Sequence, residues 1–311
     1  MENTLQKNKM SRYKKKYKAH LLLLALPSVC FVLIFCYLPL FGWSYAFMDY
    51  RPGTPFLQQT FVGLKYFNML FTDSGSFLNA ILNTLGMSFL IILVTPVPVI
   101  FAIMLSKLRS SKFSRFVQTV SSLPYFVSFI LIYFLFFVIF SSQDGVINRL
   151  LMNLHLISTP TNLLGNSDLA WLTQTIVFLF KNVGYTAIIY IAAITGIDQE
   201  LYDAASVDGA GEFRQIIHVT LPGIAATYFV MLLLTFAGML TGAGFEQYYV
   251  FQNPLVLNRI DVLDTYVYRM GITLNEYAYA TGVGIFKSVI SIILLFTFNG
   301  MSKIFVKRSL F

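Results

Sequence analysis

The sequence predicts an all-α integral membrane protein with six transmembrane helices. The chain has 311 residues, of which 57% are hydrophobic and only 12% charged, and its mean hydropathy is +0.69. Soluble domains carry about a quarter charged residues, so this composition argues strongly against a water-soluble enzyme. The two cysteines, Cys30 and Cys36, lie in one apolar run, so neither a disulfide framework nor a thiolate metal site is expected.

Six apolar stretches are each long enough to cross a bilayer as a helix, which takes about 20 residues. The first is too long for the core of a signal peptide and is expected to remain as an anchor. Several prolines fall inside the stretches, where kinks are expected. The spans are predicted near 21–47, 80–106, 117–141, 171–196, 221–244 and 278–305.

The distribution of Lys and Arg predicts that both termini are cytoplasmic. Fifteen of these residues lie in the N-terminal tail, the turn after the second span, the segment 197–220 and the C-terminus. Five lie in the predicted outer loops, near 49–78, 142–170 and 245–277. We therefore predict a basic cytoplasmic tail over 1–20 and a cytoplasmic C-terminus over 306–311. A nucleic-acid-binding arm is the alternative for the tail, but the tail adjoins a span, which favours contact with anionic lipid.

The segment between the fourth and fifth spans is not patterned like a simple loop. Small and apolar residues predict a short helix, which Gly209 can end by adopting a positive φ before a second helix begins. An acidic helix–turn–helix of this kind suits docking to a cytoplasmic partner, because interfacial membrane helices, the alternative, are usually basic. The residues concerned are Glu200, Leu201, Asp203, Ala204, Ala205, Asp208, Ala210 and Glu212.

This segment resembles the EAA motif of the membrane subunits of binding-protein-dependent ABC importers. Asp203-Ala204-Ala205 is followed by Gly209 and later by Leu221-Pro222. Asp203 stands where the family usually has Glu, which keeps the charge on a shorter side chain. Further runs are similar to sugar permeases of the LplB-like polysaccharide or oligosaccharide group, namely 123–128, 144–148, 244–247, 265–269 and 279–287.

The resemblance implies a MetI-like permease core over 80–305, preceded by the extra helix over 21–47, in a bacterial cytoplasmic membrane. It implies a heterodimer with a second homologous permease, two cytoplasmic ATPase subunits, and an extracytoplasmic sugar-binding protein that delivers an oligosaccharide. The coupling segment is 197–222. The residues expected to contact the ATPases are Glu200, Asp203, Ala204, Ala205, Asp208, Gly209 and Ala210.

Several motifs are missing from the sequence. No G-x-x-x-x-G-K-[ST] run occurs, so ATP and Mg are expected in partner ATPases, and this chain is not expected to be an enzyme or to hold a cofactor. The three histidines are scattered, so no metal site is predicted. The competing class is an ion-coupled secondary sugar transporter, which needs inverted repeats and membrane-embedded carboxylates. A third class, an intramembrane enzyme, needs clustered catalytic side chains at the interface.

Two lysines, Lys181 and Lys287, lie inside predicted spans at similar depth. A lysine near the bilayer centre costs about 2.5–3.5 kcal/mol, so each is expected to face protein or a polar cavity. One interpretation is that these lysines line the translocation path and bind sugar, together with Asn182 beside Lys181. The other is that they bond to backbone carbonyls or to the partner permease.

A carboxylate and an amide, Glu246 and Gln247, follow the fifth span beside Tyr248 and Tyr249. Such groups bind sugar rings, so we predict contact with the binding protein or with the exit of its sugar pocket. Outer gating or interfacial anchoring is the alternative, because tyrosines are common at membrane interfaces.

Overall fold

The computed structural model describes residues 22–72, 74–142, 145–240 and 244–306. Regular structure in these ranges is almost entirely helical, as predicted, and one short antiparallel strand pair joins Met48 to Phe61. The predicted basic tail and residues 307–311 lie outside the described ranges. The elements are α1 (Leu22–Phe47), β1 (Met48–Asp49), β2 (Thr60–Phe61), α2 (Lys65–Thr72), α3 (Ser74–Val94), α4 (Pro96–Ser106), α5 (Ser111–Ser122), α6 (Phe129–Phe140), α7 (Val146–Asn153), α8 (Ala170–Thr195), α9 (Gln199–Val207), α10 (Glu212–Gln215), α11 (Leu221–Leu240), α12 (Phe245–Phe251), α13 (Leu257–Ile260), α14 (Leu263–Tyr268) and α15 (Tyr277–Val306).

Five helical stretches of the described residues are long and apolar enough to span a membrane. A sixth span results when α5 and α6, which meet at a sharp bend, are taken together. The predicted six-span helical architecture is confirmed in this form. The five are Leu22–Phe47, Gly75–Ser106, Ala170–Thr195, Glu212–Gly238 and Tyr277–Thr297.

The third predicted span, 117–141, is not one straight helix. Its two parts, Ser111–Phe126 and Phe129–Phe140, meet at 107°. Pro124 lies in the turn before the bend, and Val127 at the bend is extended, with φ −86° and ψ 137°. Because helical hydrogen bonding stops here, carbonyl groups at the bend need donors from elsewhere.

The stretch 245–277, which the sequence places in an outer loop, is instead part of the helical bundle. Its short helices α12, α13 and α14 bury Phe251, Ile260 and Tyr266, respectively. The Asn83 amide on α3 donates to the carbonyl oxygens of Asn258 (3.0 Å) and Asp261 (3.1 Å). These bonds hold the stretch against the second span.

The helices α4, α8 and α11 pack around a common apolar cluster that includes Ala102, Ala187 and Ile224. On α8, Gly184 brings the helix against the end of α5, where a Cβ atom would overlap the Ser121 carbonyl. Small residues at such crossings let membrane helices approach closely. Helix α1 behaves differently, because its residues 22–41 are exposed and only its last turns pack against α15.

Candidate functional sites

The predicted helix–turn–helix is present as a helical hairpin formed by α9, Gly209 and α10. The Asp198 side chain caps α9 by accepting from the Glu200 amide at 3.0 Å. Gly209 has φ +75°, and the Ala210 amide donates to the Ala205 carbonyl at 2.9 Å. A left-handed residue after a helix, followed by such a bond, is the usual glycine-dependent helix end.

The hairpin is attached rigidly to the rest of the bundle. Gln215 on α10 donates to the Ser206 hydroxyl at 2.9 Å, which joins the two arms. The Tyr202 hydroxyl lies 3.0 Å from the Thr220 hydroxyl at the start of α11. The Lys107 ammonium, in the turn after α4, lies 5.7 Å from the centre of the Tyr202 ring. These contacts connect the hairpin to the helices on either side of it.

The hairpin projects an acidic and apolar surface. Glu200, Asp203, Ala204 and Asp208 are exposed. Ala205 and Ala210, predicted on the same small-residue face, are half-buried because they line the contact between the two arms. The large apolar side chains Val207 and Phe213 are 88% and 74% exposed.

A cavity of about 570 Å³ lies between α3, α8, α11 and α12, beside the bend of the third span. Tyr125, Phe129 and Tyr185 supply aromatic walls, while Lys181 and Asn182 project polar groups. The rings of Tyr125 and Tyr185 are stacked, with centroids 3.8 Å apart and planes at 5°. The volume of the cavity lies in the usual range for a small-molecule site.

Lys181 lines this cavity and also supports the bend. Its ammonium donates to the Tyr125 carbonyl at 3.0 Å and to the Val127 carbonyl. The Phe129 ring centre lies 4.6 Å from the same ammonium. The bonds to backbone carbonyls agree with one of the two interpretations left open by the sequence, and the position at the cavity wall is compatible with the other. The neighbouring Asn182 amide donates to the Phe178 carbonyl of its own helix at 2.9 Å.

Glu246 and Gln247 occupy different faces of α12, because successive residues of a helix are about 100° apart. Glu246 is exposed, whereas Gln247 is buried and lines the cavity. The Gln247 amide donates to the carbonyl and side-chain oxygens of Gln174 at 2.8 and 3.0 Å. Of the pair, only Glu246 is placed to meet another protein.

Lys287 does not line this cavity. It faces a separate groove of about 1060 Å³ between the end of α1 and α15, and it forms an ion pair with Asp264 of α14. Asp264 lies between the two spaces, since it lines both. The sequence missed this partner because Asp264 belongs to the stretch read as an outer loop.

Residues 94–310 match the family model of the binding-protein-dependent transport system inner membrane component. The chain belongs to this family. It is 40% identical to Protein LplB of Bacillus subtilis, over 94% of this chain and 91% of that protein. It is 34% identical to the polygalacturonan/rhamnogalacturonan transport system permease protein YteP of the same organism, over 98% and 94%.

Two solved structures of a bacterial alginate ABC transporter contain chains that resemble this permease. One, a complex with an alginate pentasaccharide-bound periplasmic protein, aligns with a TM-score of 0.87 at 31% identity, over 96% of this chain and 99% of that one. The other, described as importing the acidic polysaccharide alginate, aligns with a TM-score of 0.84 at 32% identity. The MetI-like fold and the role of ABC importer permease subunit are thereby confirmed, and the secondary-transporter and intramembrane-enzyme alternatives are set aside.

A second ion pair, which the sequence did not predict, joins Arg269 to Asp261. Asp261 is buried, and its carboxylate accepts from Arg269 at 2.5 Å and from the Thr265 hydroxyl at 2.8 Å. Thr265 and Arg269 follow Asp261 by four and eight residues. This spacing is typical of one helical face, and it could have indicated the contact from the sequence. Among the described residues, no group of three or more His, Cys, Asp or Glu side chains is arranged to hold a metal ion.

Proposed function

We propose that this permease imports oligosaccharides, which an extracytoplasmic binding protein delivers and two cytoplasmic ATPases drive across the membrane. The helical hairpin carries this proposal, because it is an exposed, rigidly attached surface suited to a partner's groove. A second homologous permease completes the membrane unit, and ATP and Mg belong to the ATPases.

The hairpin couples ATP hydrolysis to the spans by direct contact. Its acidic and apolar surface contacts an ATPase subunit, and closure of the ATPases on ATP moves it as a unit, which turns the permeases outward. The bond between Tyr202 and Thr220 supports this role because it ties the hairpin to the start of α11, while the bond from Gln215 to Ser206 holds the two arms together. The coupling residues are Glu200, Asp203, Ala204, Ala205, Asp208, Gly209 and Ala210.

The substrate path runs through the cavity beside the bend. Lys181, Asn182 and Gln247 line it, and stacked tyrosines of this kind suit the faces of sugar rings. Relatives named for polygalacturonan/rhamnogalacturonan and alginate support an oligosaccharide as the substrate. The exposed Glu246 contacts the binding protein, and Lys287 holds α15 to α14 beside the path.

Both termini lie in the cytoplasm, in the cytoplasmic membrane of a bacterium. The proximity of Lys107 to the hairpin supports this orientation, because it puts the basic turn after α4 on the hairpin's side of the membrane. An even number of spans then places the basic tail and the C-terminus on that side as well.

Co-purification tests the proposal with two variants of one residue. Gly209 has φ +75° with open space around it, so Gly209→Val strains the backbone without a steric clash elsewhere, whereas Gly209→Asn is tolerated. We expect the wild type and Gly209→Asn to retain the second permease and an ATPase, and Gly209→Val to lose only the ATPase. Equal ATPase recovery with all three, or uptake in liposomes without ATP, would contradict the proposal.

A further inference from the structure

We infer that Lys181 is the receptor for a carboxylate of the substrate, so the transported oligosaccharide contains uronic acid residues. This inference rests on the proposed function and assigns the chemistry of its substrate.

The charge of Lys181 is not neutralised by an ion pair. In the described part of the chain, no carboxylate lies within ion-pair distance of its ammonium. Glu246 attracts it through space but forms no ion pair with it. Lys287, the other lysine within a span, is paired with Asp264. A half-buried lysine at the wall of a cavity therefore leaves one positive charge for a ligand.

The ammonium of Lys181 has one donor left after its protein contacts. It donates to the Tyr125 and Val127 carbonyls, and a lysine ammonium has three N–H groups. Carbonyl oxygens are neutral, so they orient the ammonium without cancelling its charge. The third N–H group can donate to an anion in the cavity, and such a charge-assisted bond is about twice as strong as a neutral one.

The surroundings of the ammonium suit a sugar acid. Tyr185 follows Lys181 by one helical turn on α8, so its ring lies on the same side, stacked on Tyr125. A pyranose ring can lie against these aromatic faces while its carboxylate meets Lys181 and its hydroxyls meet Asn182.

The test compares acidic and neutral forms of one substrate. The complete transporter with its binding protein is reconstituted, and ATP-dependent uptake of oligogalacturonate is compared with uptake of its methyl ester. Because the binding protein is the same throughout, a change in the acid-to-ester ratio in a variant reports on the permease. We expect Lys181→Gln to lower this ratio at least about tenfold and Lys181→Arg to preserve it.

Two further variants separate recognition from support of the bend. Asn182→Asp leaves the Lys181 contacts intact but adds a negative charge to the cavity, so we expect it to lower the acid-to-ester ratio even if Lys181→Gln does not assemble. The control is Lys112→Gln, which removes the positive charge of an exposed lysine on α5 outside the cavity, and we expect an unchanged ratio.

Four results would overturn the inference. They are an equal loss of acid and ester uptake in Lys181→Gln, a ratio unchanged by Asn182→Asp, ester uptake that exceeds acid uptake in the wild type, and preference for a phosphorylated sugar over the uronate. Absence of ATP-dependent uptake of every oligosaccharide by the assembled wild-type transporter would instead contradict the proposed function.

Discussion

Lys287 on α15 forms an ion pair with Asp264, which lies 23 residues earlier on α14. The side chains are only 14% and 22% exposed, so the pair holds a short helix from the 245–277 stretch against the last span. Each charge offsets the cost of burying the other.

Breaking this ion pair is expected to destabilise the permease more than replacing it. Lys287→Met leaves Asp264 half-buried and without its lysine partner, with a loss of about 2–3 kcal/mol in the free energy of unfolding, whereas Lys287→Met/Asp264→Leu recovers to within about 1 kcal/mol of wild type. Thermal unfolding in detergent measures both. The exposed pair Arg51–Asp49 is the control, where Arg51→Met should change little. Additive losses in the double variant would contradict the expectation.

Two glycines within spans should respond in opposite directions to alanine. At Gly184 a Cβ meets the Ser121 backbone, so Gly184→Ala is expected to destabilise the protein by about 2 kcal/mol through overpacking. Gly284 on α15 has open space, so Gly284→Ala should be neutral or stabilising by about 0.5 kcal/mol. The unfolding midpoints of the purified variants measure both effects. Similar shifts of the midpoint for both variants would show that the α5–α8 contact is not close.

The apolar tip of the hairpin is expected to contribute to ATPase binding. Phe213→Ala removes a large exposed ring, and a contact of this kind at an interface centre is worth about 2 kcal/mol or more. We therefore predict at least about a tenfold weaker binding of the ATPase, measured by titration in detergent. Leu156→Ala serves as the control, since Leu156 is similarly exposed but lies outside the hairpin. Equal binding by Phe213→Ala and wild type would exclude this contact.

The hydrogen bond from the Tyr66 hydroxyl to Asp49, 2.9 Å long, predicts a change in stability at high pH. Burial and this bond raise the pKa of Tyr66 to about 12, while the bond lowers the pKa of Asp49. The unfolded tyrosine ionises near pH 10 and the folded one near 12, so stability from this group is present below pH 10 and is lost as the pH rises to about 12.

The same hydrogen bond predicts a loss of stability at low pH, through the ionisation of Asp49. The contribution of Asp49 is present above its ordinary pKa of 3.8 and is lost as the pH falls below that value. Unfolding free energies of wild type and Tyr66→Phe, compared across pH, should differ most between about pH 4 and 10 and converge outside that range. A pH-independent difference would mean that the bond does not control either ionisation.

Local patterns were sufficient for the hairpin. The small residues, the acidic side chains and Gly209 act within a few residues of one another, so the sequence predicted both helices and the positive φ between them. The apolar lengths likewise predicted the spans, since the hydrocarbon thickness sets how many residues a helix needs. A kink at the proline of the third span was expected, but its 107° break was not, because proline in a membrane helix permits a kink, a break or neither.

The sequence by itself determined that this chain is a helical membrane protein with a helical hairpin between its fourth and fifth spans, because composition, periodicity and turn chemistry are local properties. Its resemblance to importer subunits indicated a permease. Only the tertiary structure decided what the two lysines do. The sequence predicts similar depths for Lys181 and Lys287, but one meets the carbonyls of a broken helix beside a cavity, and the other meets a carboxylate on α14. Partners 54 and 23 residues away are selected by helix packing, which no local pattern records.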